Sequence, residues 1–225
     1  MTDLLTALRT RRSCRAFTAD PVPRATLQAV LDAARWAPSG GNIQPWRVIA
    51  VAGEARGALI RVAGEALFAG ANEEDEHPIY PPALHEPYRS RRFANAASVY
   101  AALGIARDDK AARYARVAEN FHFFGAPVGL FFVIDRRMGH GQWAHLGMFM
   151  MAVVLAAEAH GLGTCLQEAW ARVRATLHAH LGLGEGEMLY CGLALGWPDE
   201  THPSAAMVRG RAELNEIAEL LGFDD

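Results

Sequence analysis

The stretch LGMFMMAVVLAA at residues 146–157 carries no charged or polar side chain. Set within residues 142–159, it predicts a helix that is apolar around its whole circumference and is stopped by GLGTC at residues 161–165. Such a helix has to be covered on every side. A small sheet leaves part of it bare, whereas a second copy of the chain completes the cover, so the stretch points to an obligate dimer. The run stops at Glu158, well short of the roughly 20 apolar residues that cross a bilayer, and reads as buried.

Three continuous apolar segments surround it in sequence: VIAVA at 48–52, VGLFFVI at 128–134 and MLYCGLALG at 188–196. Each predicts a buried strand. Helical spacing fills most of the rest. Leu4, Leu5 and Leu8 mark a first short helix; Pro23 opens a second, with Leu27, Val30, Leu31 and Ala34 on one face and an end near Trp36. Leu59, Val62, Ala63 and Ala66 give a helix over 54–68, and Ala96, Val99, Tyr100 and Leu103 another. A further helix starts near Asp108 or Asp109, and WARVRATLHAHL at 170–181 forms the last. Residues 70–90, rich in acids and prolines, read as an irregular excursion. The pattern predicts a helix-rich α+β chain, one domain over residues 1–225.

With 22 basic and 25 acidic side chains, the chain lacks the electrostatic footprint of a nucleic-acid binder. Its cysteines, Cys14, Cys165 and Cys191, are too far apart to form a CxxC pair, which argues against a disulfide framework or thiolate zinc. The opening MTDLLTALRTRRS has neither the apolar stretch nor the cleavage site of a secretory signal, so the expected location is the cytoplasm. His140 and His145 are five apart and His178 and His180 two apart, and no HExxH accompanies them, so no metal site is expected. GxSxG and GxxxxGK are missing too. The chemistry must come from a cofactor.

Arg11, Arg12, Ser13, Cys14 and Arg15 follow one another. In an extended segment, alternation turns Arg11, Ser13 and Arg15 to one side, a set of charges and donors suited to a phosphate monoester. The same run also reads as a solvated basic helix end. In APSGGNIQPW at 37–46, Gly40 and Gly41 leave backbone amides unhindered, while Ser39, Asn42 and Gln44 add donors and acceptors. Such a loop can edge a planar heterocycle or merely connect a helix to a strand.

Taken in order, RRSCRAF at 11–17 and AARWAPSGGNIQPW at 33–46 resemble the opening of the nitroreductase family, whose members bind FMN between two subunits. The resemblance continues through GLGTCLQEAW at 161–170, GLALGWPDE at 192–200 and VRGRAEL at 208–214, and spans nearly the whole chain. It implies a central, mostly antiparallel sheet surrounded by helices, in an intertwined homodimer. Arg11, Arg12, Ser13 and Arg15 would hold ribityl and phosphate oxygens, joined by Arg209 and Arg211 from a C-terminal segment at 199–225. Pro38, Ser39, Gly40 and Asn42 would reach the FMN of the partner subunit. Gln167, Glu168 and Ala169 would lie beside the flavin N5, although the family often has glycine where Ala169 stands; Glu168 reads equally as a helix N-terminal acid.

The implied reaction is reduction of a nitroaromatic at the expense of NADH or NADPH, two electrons per turn, by ping-pong exchange. Quinones, activated alkenes or halogenated aromatics are alternative acceptors, and a non-catalytic FMN-binding protein is the alternative of another class. PPALHEPYRSRRF at 81–93, NFHFFGAPVGLFF at 120–132, IDRRMGHGQW at 134–143 and LGMFM at 146–150 resemble the nitrobenzoate reductase branch of the family. Arg89, Arg91 or Arg92 would then meet a substrate carboxylate, unless they are surface arginines on a mobile loop. Tyr88, Phe121, Phe123, Phe124 and Trp143 would line an aromatic pocket, unless they fill the core.

Overall fold

The computed structural model describes residues 3–73 and 79–223. Four strands form one antiparallel sheet: β1 (Arg47–Ala52), β2 (Val128–Asp135), β3 (Gly163–Gln167) and β4 (Glu187–Gly196), in the order β1-β2-β4-β3. Three of them match the apolar segments of the sequence. β3 does not: GLGTC ends the apolar helix as expected, but its last three residues already belong to a strand on the free side of β4. Five residues opening on glycine and threonine give too little periodicity to announce it.

The long helices are α2 (Arg24–Ala34), α3 (Gly53–Phe68), α4 (Tyr88–Ala102), α5 (Lys110–Ala118) and α6 (His140–Ala159), with shorter α1 (Leu4–Thr10) and α7 (Arg174–His180). The Asp109 carboxylate caps α5 by accepting from Ala112 N–H at 2.9 Å. The excursion expected over 70–90 is cut short, because α4 begins at Tyr88; residues 74–78 of that stretch lie outside the described residues.

Both faces of the sheet are covered, which explains why β2 is apolar at successive positions. Val128, Leu130, Phe132 and Ile134 meet α2 and α6, while Phe131 and Val133 meet α3, α7 and the 3₁₀ segments Glu119–Gly125 and Glu168–Val173. The second face is built on aromatic rings. Trp170 is fully buried against Phe121, Phe123 and Phe131, with Phe123 at 4.8 Å between ring centroids. A Cβ at Gly192 would overlap the Trp170 indole and one at Gly129 would overlap the Phe123 ring, so two strand glycines make the room these rings occupy.

The helix α6 is 20 residues long, more than its apolar run suggested, and by length and composition alone it could cross a bilayer. Its packing argues for another role. Leu146, Phe149, Val153, Val154 and Ala157 are buried in the core, and α2 lies along it. Its remaining apolar surface is only partly covered: Met148 stays 47% exposed, and the neighbouring α1 shows Leu4, Leu5 and Leu8 to the outside. Both helices thus leave apolar side chains open to the outside.

Candidate active site

After α1 the chain runs extended beside β3. Ser13 forms a parallel bridge with Thr164, and Cys14 N–H donates to Thr164 O at 2.8 Å. Cys14 turns inward and is buried against Gly163, where a Cβ would come within 3.0 Å of its own Cβ. Burial pushes the Cys14 thiol up to about 11 and the Cys191 thiol to about 12, so neither is a nucleophile at neutral pH.

The C-terminal segment comes back onto this strip. Arg209 Nη1 donates to Thr10 O at 3.2 Å and to Arg11 O. Burial lowers the Arg209 pKa, and the nearby charges of Arg11, Arg211 and Arg12 lower it further. Arg11 Nε is buried without a hydrogen-bond partner in the described structure. Crowded like charges together with an orphaned buried donor are what a phosphate dianion relieves, so these residues fit a phosphate-bearing cofactor. Arg12 is drawn away: it pairs with Glu200 at the end of the GLALGWPDE stretch. Arg15 is held from behind by Arg116, both of whose Nη atoms donate to Arg15 O at 3.4 Å. Arg116 is itself buried, pairs with Glu119 and lies 5.0 Å from the centroid of Phe124. Arg15, Tyr100, Arg116, Asn120 and Phe124 edge a cavity of about 150 Å³ beside the strip.

At the end of β3, Gln167 is 1% exposed and its amide is committed, donating to Asn120 O at 2.7 Å and accepting from the Trp170 indole at 3.2 Å. Its side chain therefore anchors the turn. Glu168 opens the 3₁₀ segment, and desolvation raises its carboxyl above the usual range. Ala169 is half-buried against the aromatic cluster.

The loop at 37–46 lies elsewhere. Gly40–Asn42 forms a 3₁₀ turn, with Gly41, Asn42 and Gln44 at φ of 60°, 55° and 50°. Ser39 Oγ accepts from Gln44 N–H at 2.9 Å, and Gly40 N–H donates to His145 Nε2 on α6 at 3.3 Å. Pro38 is exposed. The loop enters β1 at Arg47, whereas Ser13 lies level, through Thr164, Leu195 and Val128, with Ala52 at the far end of β1. Four strand spacings of about 4.8 Å and a rise of about 3.3 Å per residue place loop and arginines roughly 25 Å apart, diagonally across the sheet. The helix α6 gives a comparable span, since Gly40 docks on His145 while the charge of Glu158 reaches Arg209. Within one chain the two clusters face different regions.

The candidate substrate residues divide. Tyr88, Arg89, Arg91 and Arg92 form the exposed first turn of α4, not a loop. Arg91 is ion-paired to Glu216 at 2.8 Å, Arg92 lies 4.1 Å from the Tyr80 ring centroid and Arg89 5.8 Å from that of Phe93. Arg91 also lines, with Asn95, Ser98, Arg211 and Glu216, a cavity of about 610 Å³ between α4 and the C-terminal segment. Phe121 and Phe123 are core residues and give a ligand no surface. Phe124 is buried but edges the Arg15 cavity, and Trp143 packs half-buried against Tyr190. Sequence reasoning missed Arg116, which stood in an ordinary amphipathic helix, and His145, which was weighed only as a metal ligand. Among the described residues no cluster suits a metal ion.

The sequence profile of the nitroreductase family matches residues 8–197. A nitrobenzene nitroreductase of Ectopseudomonas oleovorans is 38% identical over 93% of each chain, and a 4-nitrobenzoate reductase of Pseudomonas putida is 33% identical over 95% of this chain and 93% of its own. The crystal structure of the FMN and NADPH-dependent nitroreductase NfnB from a sphigopyxis strain superposes with a TM-score of 0.96 at 44% identity, over 99% of this chain and all of that one. The FMN-dependent NfnB from Mycobacterium smegmatis, solved with NADPH, gives 0.89 at 30% identity, over 97% and 99%. The antiparallel sheet, its covering helices and the ordered motifs thus agree with the sequence resemblance: the chain belongs to the nitroreductase family.

Proposed function

We propose that this protein is an FMN-dependent, NAD(P)H-consuming reductase of nitroaromatics that works as a homodimer with composite sites. The observation that carries the reading is the arginine strip beside β3, with its orphaned Arg11 Nε and its mutually repelling guanidiniums. Arg11, Ser13, Arg15, Arg209 and Arg211 would hold the phosphate and ribityl oxygens, and the backbone of Gln167, Glu168 and Ala169 would border the flavin ring. Bound FMN would take two electrons from the nicotinamide and give them to the nitro group. The chain's own task is to bind, orient and shield. Residues 38–42 lie too far across the sheet to share the cofactor of their own chain, which supports their serving the partner's. The apolar surface of α6 and α1 supports a second copy as its cover. The buried free cysteines fit a reducing cytoplasm.

Within the nitroaromatic class, the geometry favours a neutral ring. Arg91 already has a carboxylate partner in Glu216, and Arg89 and Arg92 lie over aromatic rings. Steady-state turnover with NADPH or NADH should therefore be more efficient on nitrobenzene than on 4-nitrobenzoate. Double-reciprocal plots should be parallel, as ping-pong exchange requires. Consumption of neither nitroarene would overturn the assignment, and intersecting lines would overturn the ping-pong scheme.

A further inference from the structure

The loop at 38–44 holds an unfavourable backbone. Gly41, Asn42 and Gln44 all have positive φ, in the left-handed region that non-glycine residues rarely adopt, and such turns persist only where their surroundings over-determine them. Ser39 Oγ ties to Gln44 N–H and Gln44 Nε2 donates to Asn42 O at 3.0 Å, but both contacts lie inside the loop and do not fix it to the protein. Two contacts do. Trp46 stacks on Phe149 at 4.8 Å and fixes the exit, while His145 holds the middle.

The His145 contact is specific in chemistry and in shape. Nε2 accepts from Gly40 N–H at 3.3 Å, and Nδ1 lies 2.7 Å from Gln142 Oε1, an acceptor one helical turn earlier. An imidazole that accepts at Nε2 and donates at Nδ1 is neutral, in a tautomer chosen by its neighbours. The ring also sits directly beneath the glycine: a Cβ at Gly40 would come within 3.0 Å of His145 Cε1. The side chain thus reads the backbone of the loop at a position where a bare Cα lets it approach.

We infer that His145 is a positioning residue for the cofactor: held by Gln142, it fixes through Gly40 N–H the loop that edges the flavin of the partner subunit. The inference rests on the composite-site reading above. Its test is FMN affinity of the full-length apo-protein, measured by quenching of flavin fluorescence. His145→Leu fills the space without an acceptor and should weaken FMN about tenfold, with a changed visible circular dichroism of the flavin that remains bound. His145→Gln places a carbonyl oxygen near the position of Nε2 and should restore affinity to within about twofold. If His145→Leu does not fold, His145→Asn, whose shorter amide falls short of Gly40, takes its place.

Wild-type affinity in the Leu or Asn variant would overturn the assignment. Equal losses in the Gln variant and in that variant would also overturn it, as bulk packing alone would then explain both. Mixed dimers of a His145→Leu chain with an Arg209→Ala chain separate this from the underlying reading. If the loop serves the partner, one of the two sites keeps every contact and binds FMN as the wild type does. If no wild-type site forms although His145→Gln rescues the homodimer, the loop acts within its own chain: the composite site fails, and with it the stated partner, while the role of His145 in holding the loop stands.

Discussion

Arg209→Met separates the cost of holding the arginine strip together from its benefit. The substitution keeps most of the apolar stem but removes the guanidinium that donates to Thr10 O and Arg11 O. In the apo-protein two changes oppose each other. Two hydrogen bonds from a half-buried group are lost, worth about 1 kcal/mol each before solvent screening. Repulsion from Arg11, Arg211 and Arg12, which lowers the Arg209 pKa, is relieved. The apo-protein should therefore melt within a few degrees of wild type. With FMN the balance changes, since a charge-assisted bond to the phosphate is missing. Taking the low end of the range for charged hydrogen bonds, about 1.5 kcal/mol, because the site is partly exposed, the FMN dissociation constant should rise by roughly tenfold. At a fixed excess of FMN the same energy narrows the gap between apo and holo melting temperatures by about 3–6 °C. Fluorescence titration gives the first number and differential scanning the second. Arg9→Met, an exposed cation in the last turn of α1, serves as control. Equal FMN affinity in the two variants, or an apo-protein that loses as much stability as the holo-protein, would refute the account of the strip.

Other expectations follow from single contacts. Gly192→Ala drives a methyl into the Trp170 ring and should cost about 1–3 kcal/mol in urea denaturation; an unchanged midpoint would contradict the packing described. Arg116→Ala releases Arg15 O and leaves Glu119 unpaired, but that carboxylate is 49% exposed, so about 1–2 kcal/mol is expected in place of the larger penalty of a fully buried pair, and a loss of 4 kcal/mol would show the discount to be wrong. Desolvation raises the Glu168 pKa, so its ionisation works against the fold: the stability the group contributes is complete below its unfolded value and is lost as pH rises through the raised one. Glu168 is exposed, so Glu168→Gln should melt only slightly higher than wild type at pH 7 and lose that advantage in acid; an advantage that grows in acid would reverse the assignment.

The elements that could be read from the sequence are those whose pattern is local. β2 and β4 are apolar at successive positions because both sheet faces are covered, and that shows in the sequence without any knowledge of what covers them. β3 was invisible because its identity comes from pairing with β4 and with Ser13, not from its own five residues. Phe123 was open to two readings for a similar reason: its place in the core depends on Gly129, six residues away and across a turn, which no spacing rule connects to it. The arginine strip was legible as a motif, but charge alone could not tell Arg11, which keeps an orphaned donor, from Arg12, which turns to Glu200. That distinction needs the course of the chain after β4. His145 lay beyond reach altogether, since an acceptor for a backbone amide 105 positions away leaves no periodic trace.

The central claim, that this chain binds FMN and passes electrons from a nicotinamide to a nitroarene, is tested most directly by an anaerobic titration of the purified protein. The account predicts a yellow protein whose visible absorbance bleaches on addition of NADPH or NADH and returns on addition of nitrobenzene. A colourless protein that fails to take up FMN, or a bleached one whose absorbance nitrobenzene does not restore, would contradict it.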